Sequence, residues 1–550
     1  MNRNANVEKQ FGMQPRADIP RAAFRMHQNL KTTIGFDNVV PIFCEEALPT
    51  DRWHVQAQYF GRLLTPIFPV MDNLWLEVFY FFVPNRLVWN HWENFISGRN
   101  PDPLDSTTYT IPQFRTTAAQ TYCAPGTLWD HFGLPCYGQN GVTPAGGAIN
   151  SKVSALPFRA YSAIWNEWFR HPNWVQPKMG WTVPGAYGDG PDTDVYLYPA
   201  QRYKKKDYFT STLPWPQART NGISIANTTG PITVTPATGV YPVFTQGTDV
   251  LGLQMNNGSA AAGWTSAATA TGQAQWGPTT GLEITASAFN TAIGNINQLR
   301  TAFQFQKLYE RDARSGPRYT EQLFGHWGIL PQDSRMQRPE YLGSAKKNLT
   351  VSQVPQTSAT TADGSDTPLG ELAAYVTVNA HADFTVSIPE HGYVIGVANL
   401  SADVSYQQGI RRMWRNETRF DFFMPAFSHI GEQAVYQSEI YSTLLTGTTT
   451  DNTIFGYIPA WDHYRYWPDM ITGSMRSEVP NTLDAWHLAQ VFTGAPTNGA
   501  VFMQQTTPIS RVLADTTNYT NAALKLDALH TGTIARPLPM FSVPGLVDHF

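Results

Sequence analysis

The sequence is short of charge. Asp, Glu, Lys and Arg make up 15% of its 550 residues, against about 25% in an average soluble domain. The net charge is −4. A protein that coats nucleic acid over its whole surface needs clustered Lys and Arg to displace counterions, so that class is excluded and any nucleic-acid contact must be local. Cysteine is almost absent. Cys44, Cys123 and Cys136 form an odd set with no CxxC pair, which argues against a disulfide framework or a zinc knuckle and suits a reducing cytoplasm. No apolar run approaches the ~20 residues that span a bilayer. The N-terminal MNRNANVEKQFGMQPRADIPR is polar throughout and lacks the apolar centre of a signal peptide, so synthesis and assembly in the cytoplasm are expected.

Motifs for chemistry are missing as well. There is no GxxxxGK[ST] loop, no HExxH, no GxSxG elbow and no EF-hand loop, and the thirteen histidines are scattered singly. The glycines at Gly185, Gly188 and Gly190 neither follow a strand nor open a helix. Neither an enzyme nor a bound cofactor is indicated. The segment GDGPDTDVY brings Asp189, Asp192 and Asp194 together, weak candidates for holding a hard cation through oxygen ligands. A Pro/Gly turn with solvated carboxylates explains them as well.

Aromatic residues and chain breakers are plentiful: 17 Trp, 24 Tyr and 30 Phe beside 40 Pro and 42 Gly. The aromatics suffice for a large core and broad contact surfaces. Few charges and many breakers imply short strands, long loops and much surface buried against other copies. A secreted β-protein would share this composition. The length allows roughly three or four average domains, or one β-domain with long inserted loops.

Residues 1–37 read as an extended basic arm, its first 33 residues carrying Arg3, Lys9, Arg16, Arg21, Arg25 and Lys31 against Glu8 and Asp18. From Asn38 to Val88 come β-branched and aromatic runs, VVPIF, WHVQAQYF and LWLEVFYFFV. The last is apolar on nearly both faces, with Leu74, Leu76, Val78, Tyr80 and Phe82 on one side, and is expected to be a central strand covered on both sides. The spacing of Tyr161, Ile164, Trp165 and Trp168 predicts a helix over 155–170. A second is predicted from Ala288 to Arg314, stopped by Ser315-Gly316-Pro317. Between Gln217 and about Ala286 the sequence turns to Thr, Ala, Gly, Asn and Ser, with ITVTP, YPVF and LEITA as short strands. Residues 218–287 are therefore read as a surface insertion, and 38–216 with 288–550 as the β-domain that carries it. Beyond 345, LTVSQV, ELAAYVTVNAHADFTVSI, YVIGVANL, TIFGYI and AVFMQQ repeat a strand-then-turn pattern, which suggests a sandwich or jelly roll.

Basic and aromatic residues mix in RYKKKDYF, where Lys204, Lys205 and Lys206 lie between Tyr203 and Tyr208. That combination grips single-stranded nucleic acid, with cations on phosphates and rings under bases; a solvated charge run reads the same way. Arg3, Arg16, Arg21, Arg25 and Lys31 are further candidates for nucleic-acid contact. In GIRRMWRNETRF, Arg411, Arg412, Trp414 and Arg415 suit a subunit interface, where Arg and Trp are favoured.

Several stretches resemble the major capsid protein family of the gokushovirus-type microviruses, small icosahedral single-stranded DNA bacteriophages. They are VMDNLWLEVFYFFVPNRLVW, WNEWFR at Trp165 to Arg170, KKKDYFTSTLPWPQ at Lys204 to Gln217, and RYTEQLFGHWGILPQDSRMQRPEYLG at Arg318 to Gly343. They occur in order across much of the chain. The resemblance implies an eight-stranded antiparallel jelly roll of viral capsid type, mainly β, with long inserted loops and a few helices. It implies a T=1 shell of copies related by twofold, threefold and fivefold axes around circular single-stranded DNA, made in the bacterial host cytoplasm. It also implies a small basic DNA-packaging protein as partner, and an enlarged loop forming a threefold protrusion. Residues 218–287 stand where that loop would be, which makes them candidates for contact with a host cell-surface receptor. Two other classes remain open on the residues alone: a carbohydrate-binding β-protein, and a receptor-binding spike that forms no shell.

Overall fold

A computed structural model describes residues 20–98, 107–115, 119–136, 152–177, 188–192, 197–216, 296–357, 370, 372–444, 452–515 and 522–541, with the backbone of four short strands between 243 and 276. The chain divides into two compact units, Met1–Pro216 with Ser315–Phe550, and Gln217–Arg314.

The larger unit is a sandwich of two antiparallel sheets. Its strands are β1 (Ala22–Ile34), β2 (Val39–Ala47), β3 (Arg52–Leu63) and β4 (Leu74–Pro84), and the smaller unit holds β5 (Val243–Gln246), β6 (Asp249–Met255), β7 (Ala262–Trp264) and β8 (Gln275–Trp276). The larger unit resumes with β9 (Glu340–Asn348), β10 (Thr350–Pro355), β11 (Leu372–Ser387), β12 (Gly392–Ala402), β13 (Glu432–Tyr436), β14 (Ile454–Pro459) and β15 (Leu524–Arg536). One sheet has the order β1-β15-β3-β11-β10 and the other β2-β12-β4-β9; β13 pairs with β14, and the smaller unit's sheet runs β7-β6-β5-β8. Neighbours in each main sheet come from distant parts of the chain, as in a jelly roll. Among the described residues the two sheets hold nine strands where eight were expected. The extra one arises because the chain leaves the second sheet at Asn348, anchors Leu349 N–H on the Leu74 carbonyl at 2.8 Å, and enters the first sheet as β10.

Alternation along the strands builds the core between the sheets. Strand β3 is buried at every second residue from Trp53 to Leu63, so Trp53, Val55 and Tyr59 meet Leu76, Val78 and Phe82 of β4 in one apolar cluster. The opposite face of β4 is also covered: Phe81 and Val83 pack with Ile395 and Val397 of β12 against Phe158, Tyr161 and Ile164. LWLEVFYFFV is thus an interior strand with both faces buried, as its composition predicted.

The covering helix, Leu156–Ile164, continues as one π-turn over Trp165–Phe169. The Arg170 N–H reaches five residues back to the Trp165 carbonyl at 2.9 Å, the mark of a π-bulge. Trp165 Nε1 donates to the Gln201 carbonyl at 2.9 Å. A second helix, Ile296–Ser315, ends at Gly316, whose φ is +107°, where the Ser-Gly-Pro stop was predicted; residues 288–295 lie outside the described residues.

Two further expectations differ from the structure. Residues 22–34 are not a free arm: β1 pairs along its length with β15 and buries Ile34. AVFMQQ is not a strand, because Met503 and Gln504 N–H donate back to the Gly499 and Ala500 carbonyls at 3.0 Å each, closing a short helix at Ala500–Met503. Of the strands read in the insertion, YPVF overlaps β5, whereas ITVTP and LEITA lie outside the described residues.

Candidate functional site

The lysine run is built into the wall. Arg202 N–H donates to the Asp37 carbonyl at 2.8 Å, and Lys204 N–H to the Met503 carbonyl at 2.9 Å; this pins the segment to two distant parts of the chain. Lys204 is buried. Its Nζ lies 3.1 Å from Gln490 Oε1 and 4.1 Å from the centre of the Phe502 ring. Burial pushes its pKa down to about 8, with the Asp207 and Asp37 carboxylates opposing. Lys205 Nζ donates to Glu77 Oε1 at 2.7 Å. Tyr208 is buried and Tyr203 half-buried. Tyr208 and Lys204, which were to grip a polynucleotide, are therefore inside and Tyr203 is partly covered, while Lys205 and Lys206 alone of that run are exposed.

Glu77, on β4, organises this corner. Its carboxylate accepts from Arg202 and Lys205 and lies 3.8 Å from Lys346 Nζ; Lys346 also sits 3.9 Å from the centre of the Trp75 ring. Burial works to raise the Glu77 carboxyl, but the Arg202 and Lys205 cations outweigh it and hold it below the usual range. Asp37 goes the other way. It is 3% exposed, accepts from Thr507 N–H at 2.6 Å and Oγ1 at 2.9 Å, and burial still lifts its pKa to about 6. Neither carboxylate was singled out in the sequence. The one available signal was a lone Glu in an otherwise apolar strand, since a buried charge must be paired.

The arginine cluster lies on a cavity of about 830 Å³ whose lining includes Tyr208, Arg412, Trp414, Glu439, Tyr466 and Trp467. Arg412 Nη1 donates to the Ala434 carbonyl at 2.7 Å and to Glu439 Oε1 at 3.3 Å, and Tyr208 donates to Glu439 Oε2 at 3.0 Å. Burial raises the Glu439 carboxyl although Arg412 opposes it. Tyr208 stacks on Tyr466 with centroids 5.2 Å apart. Gly409 closes the wall: a Cβ there would lie 1.9 Å from the Glu439 carbonyl oxygen, so the two backbones cross where only glycine fits. Arg415 sits 4.4 Å from the Tyr436 ring centre and Arg411 Nη1 3.8 Å from Met470 Sδ. Around this framework Trp414 is 73% and Trp467 88% exposed, with Phe420, Phe422 and Phe423 exposed nearby in sequence. Held arginines surrounded by uncovered large apolar side chains suit association with another protein surface.

The two described carboxylates of GDGPDTDVY, Asp189 and Asp192, are spoken for. Asp192 receives Arg159 Nε at 2.7 Å and Nη2 at 2.6 Å, and Asp189 receives Trp89 Nε1 and faces His91 Nδ1, both at 2.8 Å. Arg159 is buried, so this pair serves to satisfy an interior guanidinium. Asp194 lies outside the described residues, as do Arg3 and Arg16. Among the described residues no group of His, Cys, Asp and Glu is placed to hold a metal ion. Arg21 and Arg25 are exposed; Arg21 donates to the Thr50 carbonyl, and Lys31 Nζ lies 3.1 Å from Asp527 Oδ2. No helix among the described residues is long and apolar enough to cross a membrane.

Comparison with known proteins agrees with this architecture. A family model described as capsid protein (F protein) matches residues 13–546. The capsid protein VP1 of Bdellovibrio phage phiMH2K is 38% identical, with 98% of both chains covered. The VP1 capsid proteins of Chlamydia phage 1 and Spiroplasma virus 4 are 33% and 31% identical, over 98% and 99% of this chain and 98% of each relative. A mainly β, jelly-roll architecture and a near end-to-end match to capsid proteins lead to one assignment: this chain belongs to the capsid protein family of the gokushovirus-type microviruses and is a structural component of the virion, not an enzyme.

Proposed function

We propose that the chain assembles into a T=1 icosahedral shell that encloses a circular single-stranded DNA genome. The observation that carries the proposal is the set of large apolar side chains left uncovered on an otherwise well-packed subunit, Trp414 and Trp467 at the cavity, Trp327 at the end of the helix Tyr319–Trp327 and Leu330 just after it. A closed shell gives such patches partners, because each subunit presents different surfaces around fivefold and threefold axes and a self-complementary one at the twofold. Arg411, Arg412, Trp414 and Arg415 then belong to a contact between copies, with Trp and Arg as its anchors. Low net charge limits repulsion among the packed copies.

The basic residues of the N-terminal region, Arg3, Arg16, Arg21, Arg25 and Lys31, with the exposed Lys205 and Lys206, face the genome in this reading. A small basic DNA-packaging protein supplies the remaining neutralisation. The insertion 218–287, polar and tolerant in composition, forms the threefold protrusion and contacts the host receptor; assembly takes place in the host cytoplasm. The test is electron microscopy of the expressed chain with and without circular single-stranded DNA. Closed, uniform particles that protect the DNA from nuclease are expected, and deletion of 218–287 should leave particles that no longer adsorb to host cells. Monomers or trimers under all conditions would overturn the shell.

A further inference from the structure

We propose that the outward face of the sheet β1-β15-β3-β11 is a binding surface for single-stranded polynucleotide, with Phe60 as its stacking platform. This rests on the reading that the chain encloses single-stranded DNA and names the surface that touches it.

Phe60 stands on β3, an interior strand, at an outward position of the alternation, and is 57% exposed. It belongs to none of the apolar cores, so folding gives no reason for a phenyl ring there. Its surroundings follow from the register. Asp527 of β15 and Asn379 of β11 stand directly opposite it, Lys31 pairs with that Asp527, and Arg62 is two residues along the same face with Lys525 opposite. Facing residues in such rows are about 5 Å apart at Cβ, so the ring stands between the Asn379 amide and the Asp527 carboxylate, with Arg62 and Lys525 one step along the same face. Tyr375, 44% exposed, stands on the same face of β11 two residues from Thr377, the partner of Arg62.

The charge on this face is one-sided. Arg25, Lys31, Arg52, Arg62 and Lys525 stand against Asp383 and Asp527 on the four strands, and Lys31 accounts for Asp527. Arg25, Arg52, Arg62 and Lys525 are exposed and have no carboxylate within ion-pair distance among the described residues. A chain of net charge −4 that places two uncommitted cations, Arg62 and Lys525, beside an uncovered ring, with Arg25 and Arg52 farther along the same face, presents what a single strand needs: phosphate contacts beside a platform on which any base can stack. Amides and imidazoles at Gln58, Asn379 and His381 offer further hydrogen bonds to splayed bases. Duplex DNA offers no free base face and fits less well.

The experiment measures binding of a fluorescent oligothymidylate to the purified full chain across a salt series, with the duplex of the same length as control. Phe60→Ala should weaken single-strand binding about tenfold, in the range found for one base–aromatic stack, without altering the salt slope, and Phe60→Tyr should restore it. Arg62→Ala combined with Lys525→Ala should flatten the slope by about 1.4, roughly 0.7 for each lost phosphate contact. Unchanged melting curves keep the comparison clean. If particles protect single-stranded DNA yet both variants bind as the parent does, the surface assignment falls and the shell stands. If the parent chain binds no single strand and forms no particles, both fall.

Discussion

The two sheets of the sandwich share a core but not an environment. The sheet β2-β12-β4-β9 is buried on both faces at its centre, by the other sheet and by the layer around Leu156–Ile164. The sheet β1-β15-β3-β11-β10 has its core on one face, and its other face carries mainly charged and polar residues with Phe60 and Tyr375 as exposed rings. In the central strands of the covered sheet, β12 and β4, nearly every residue is answerable to packing, so their sequences are nearly continuous apolar runs. In the open sheet half of the positions are released from packing, and what stands there is available for contact with something else. The difference separates residues that make the wall from residues that use it.

The largest effects should come from breaking the covered sheet. Phe82 is 1% exposed at the centre of the shared core. Phe82→Ala should cost about 3–5 kcal/mol, read as a large fall in the denaturant midpoint of the unassembled chain. Next comes Glu77→Gln. It leaves the Arg202 guanidinium, itself largely buried, without its anion, and breaking a buried pair costs about 3 kcal/mol. Because the Glu77 carboxyl is held below its usual range, its contribution is present above the ordinary carboxylate pKa and is lost as pH falls through the lowered one. The gap between variant and parent should therefore close in acid. A gap that persists unchanged would show that the amide retains the bonds and that charge is immaterial.

The same division decides what could be read from the sequence. LWLEVFYFFV announced itself because both faces are apolar, and Arg52–Leu63 because its alternation is regular. Strand β15 was overlooked although Leu524, Leu526 and Ala528 alternate, since His530 breaks the apolar series; its imidazole turns inward to the Tyr80 hydroxyl at 3.0 Å. Strand β1 looked like an arm because most of its residues are exposed on both faces, and only its pairing with the far end of the chain makes it a strand. The lysine run misled for a related reason. Local sequence shows three cations between tyrosines, while the groups that bury Lys204, at Gln490 and Phe502, are almost 300 residues away. The capsid identity was legible through ordered segments that resemble the family, whereas the arginine partners and the cavity were not.

A smaller effect of opposite sign is expected where the chain passes from the open sheet to the covered one. Asp37 lies between β1 and β2 with a φ of 64°, a conformation that Asn tolerates as readily as Asp. Its pKa of about 6 means that the folded state holds the proton more tightly than the unfolded chain does. The stability this provides is complete below the ordinary value near 3.8 and is lost as pH rises through 6. Asp37→Asn keeps an acceptor for the Thr507 N–H, turns its amide NH2 to the Thr507 hydroxyl oxygen as donor, and does not ionise. It should match the parent near pH 4 and exceed it by about 2 kcal/mol above pH 7, measured as a widening difference in melting temperature. A difference that narrows with rising pH would mean that Lys204 and Arg202 need the charge more than burial penalises it.

The smallest expected change sharpens the comparison most. Phe60→Ser removes an aromatic ring of the same size as Phe82, from the neighbouring sheet of the same sandwich, yet should alter stability by no more than about 0.5 kcal/mol. Its ring is 57% exposed and touches none of the cores, so little apolar area leaves water when it folds and little is returned when it is cut away. A loss approaching that of Phe82→Ala would mean that this face is packed in the isolated subunit, and the distinction between a wall sheet and a working sheet would fail. A small loss, combined with weakened binding of single strands, would locate the function of Phe60 outside its own fold.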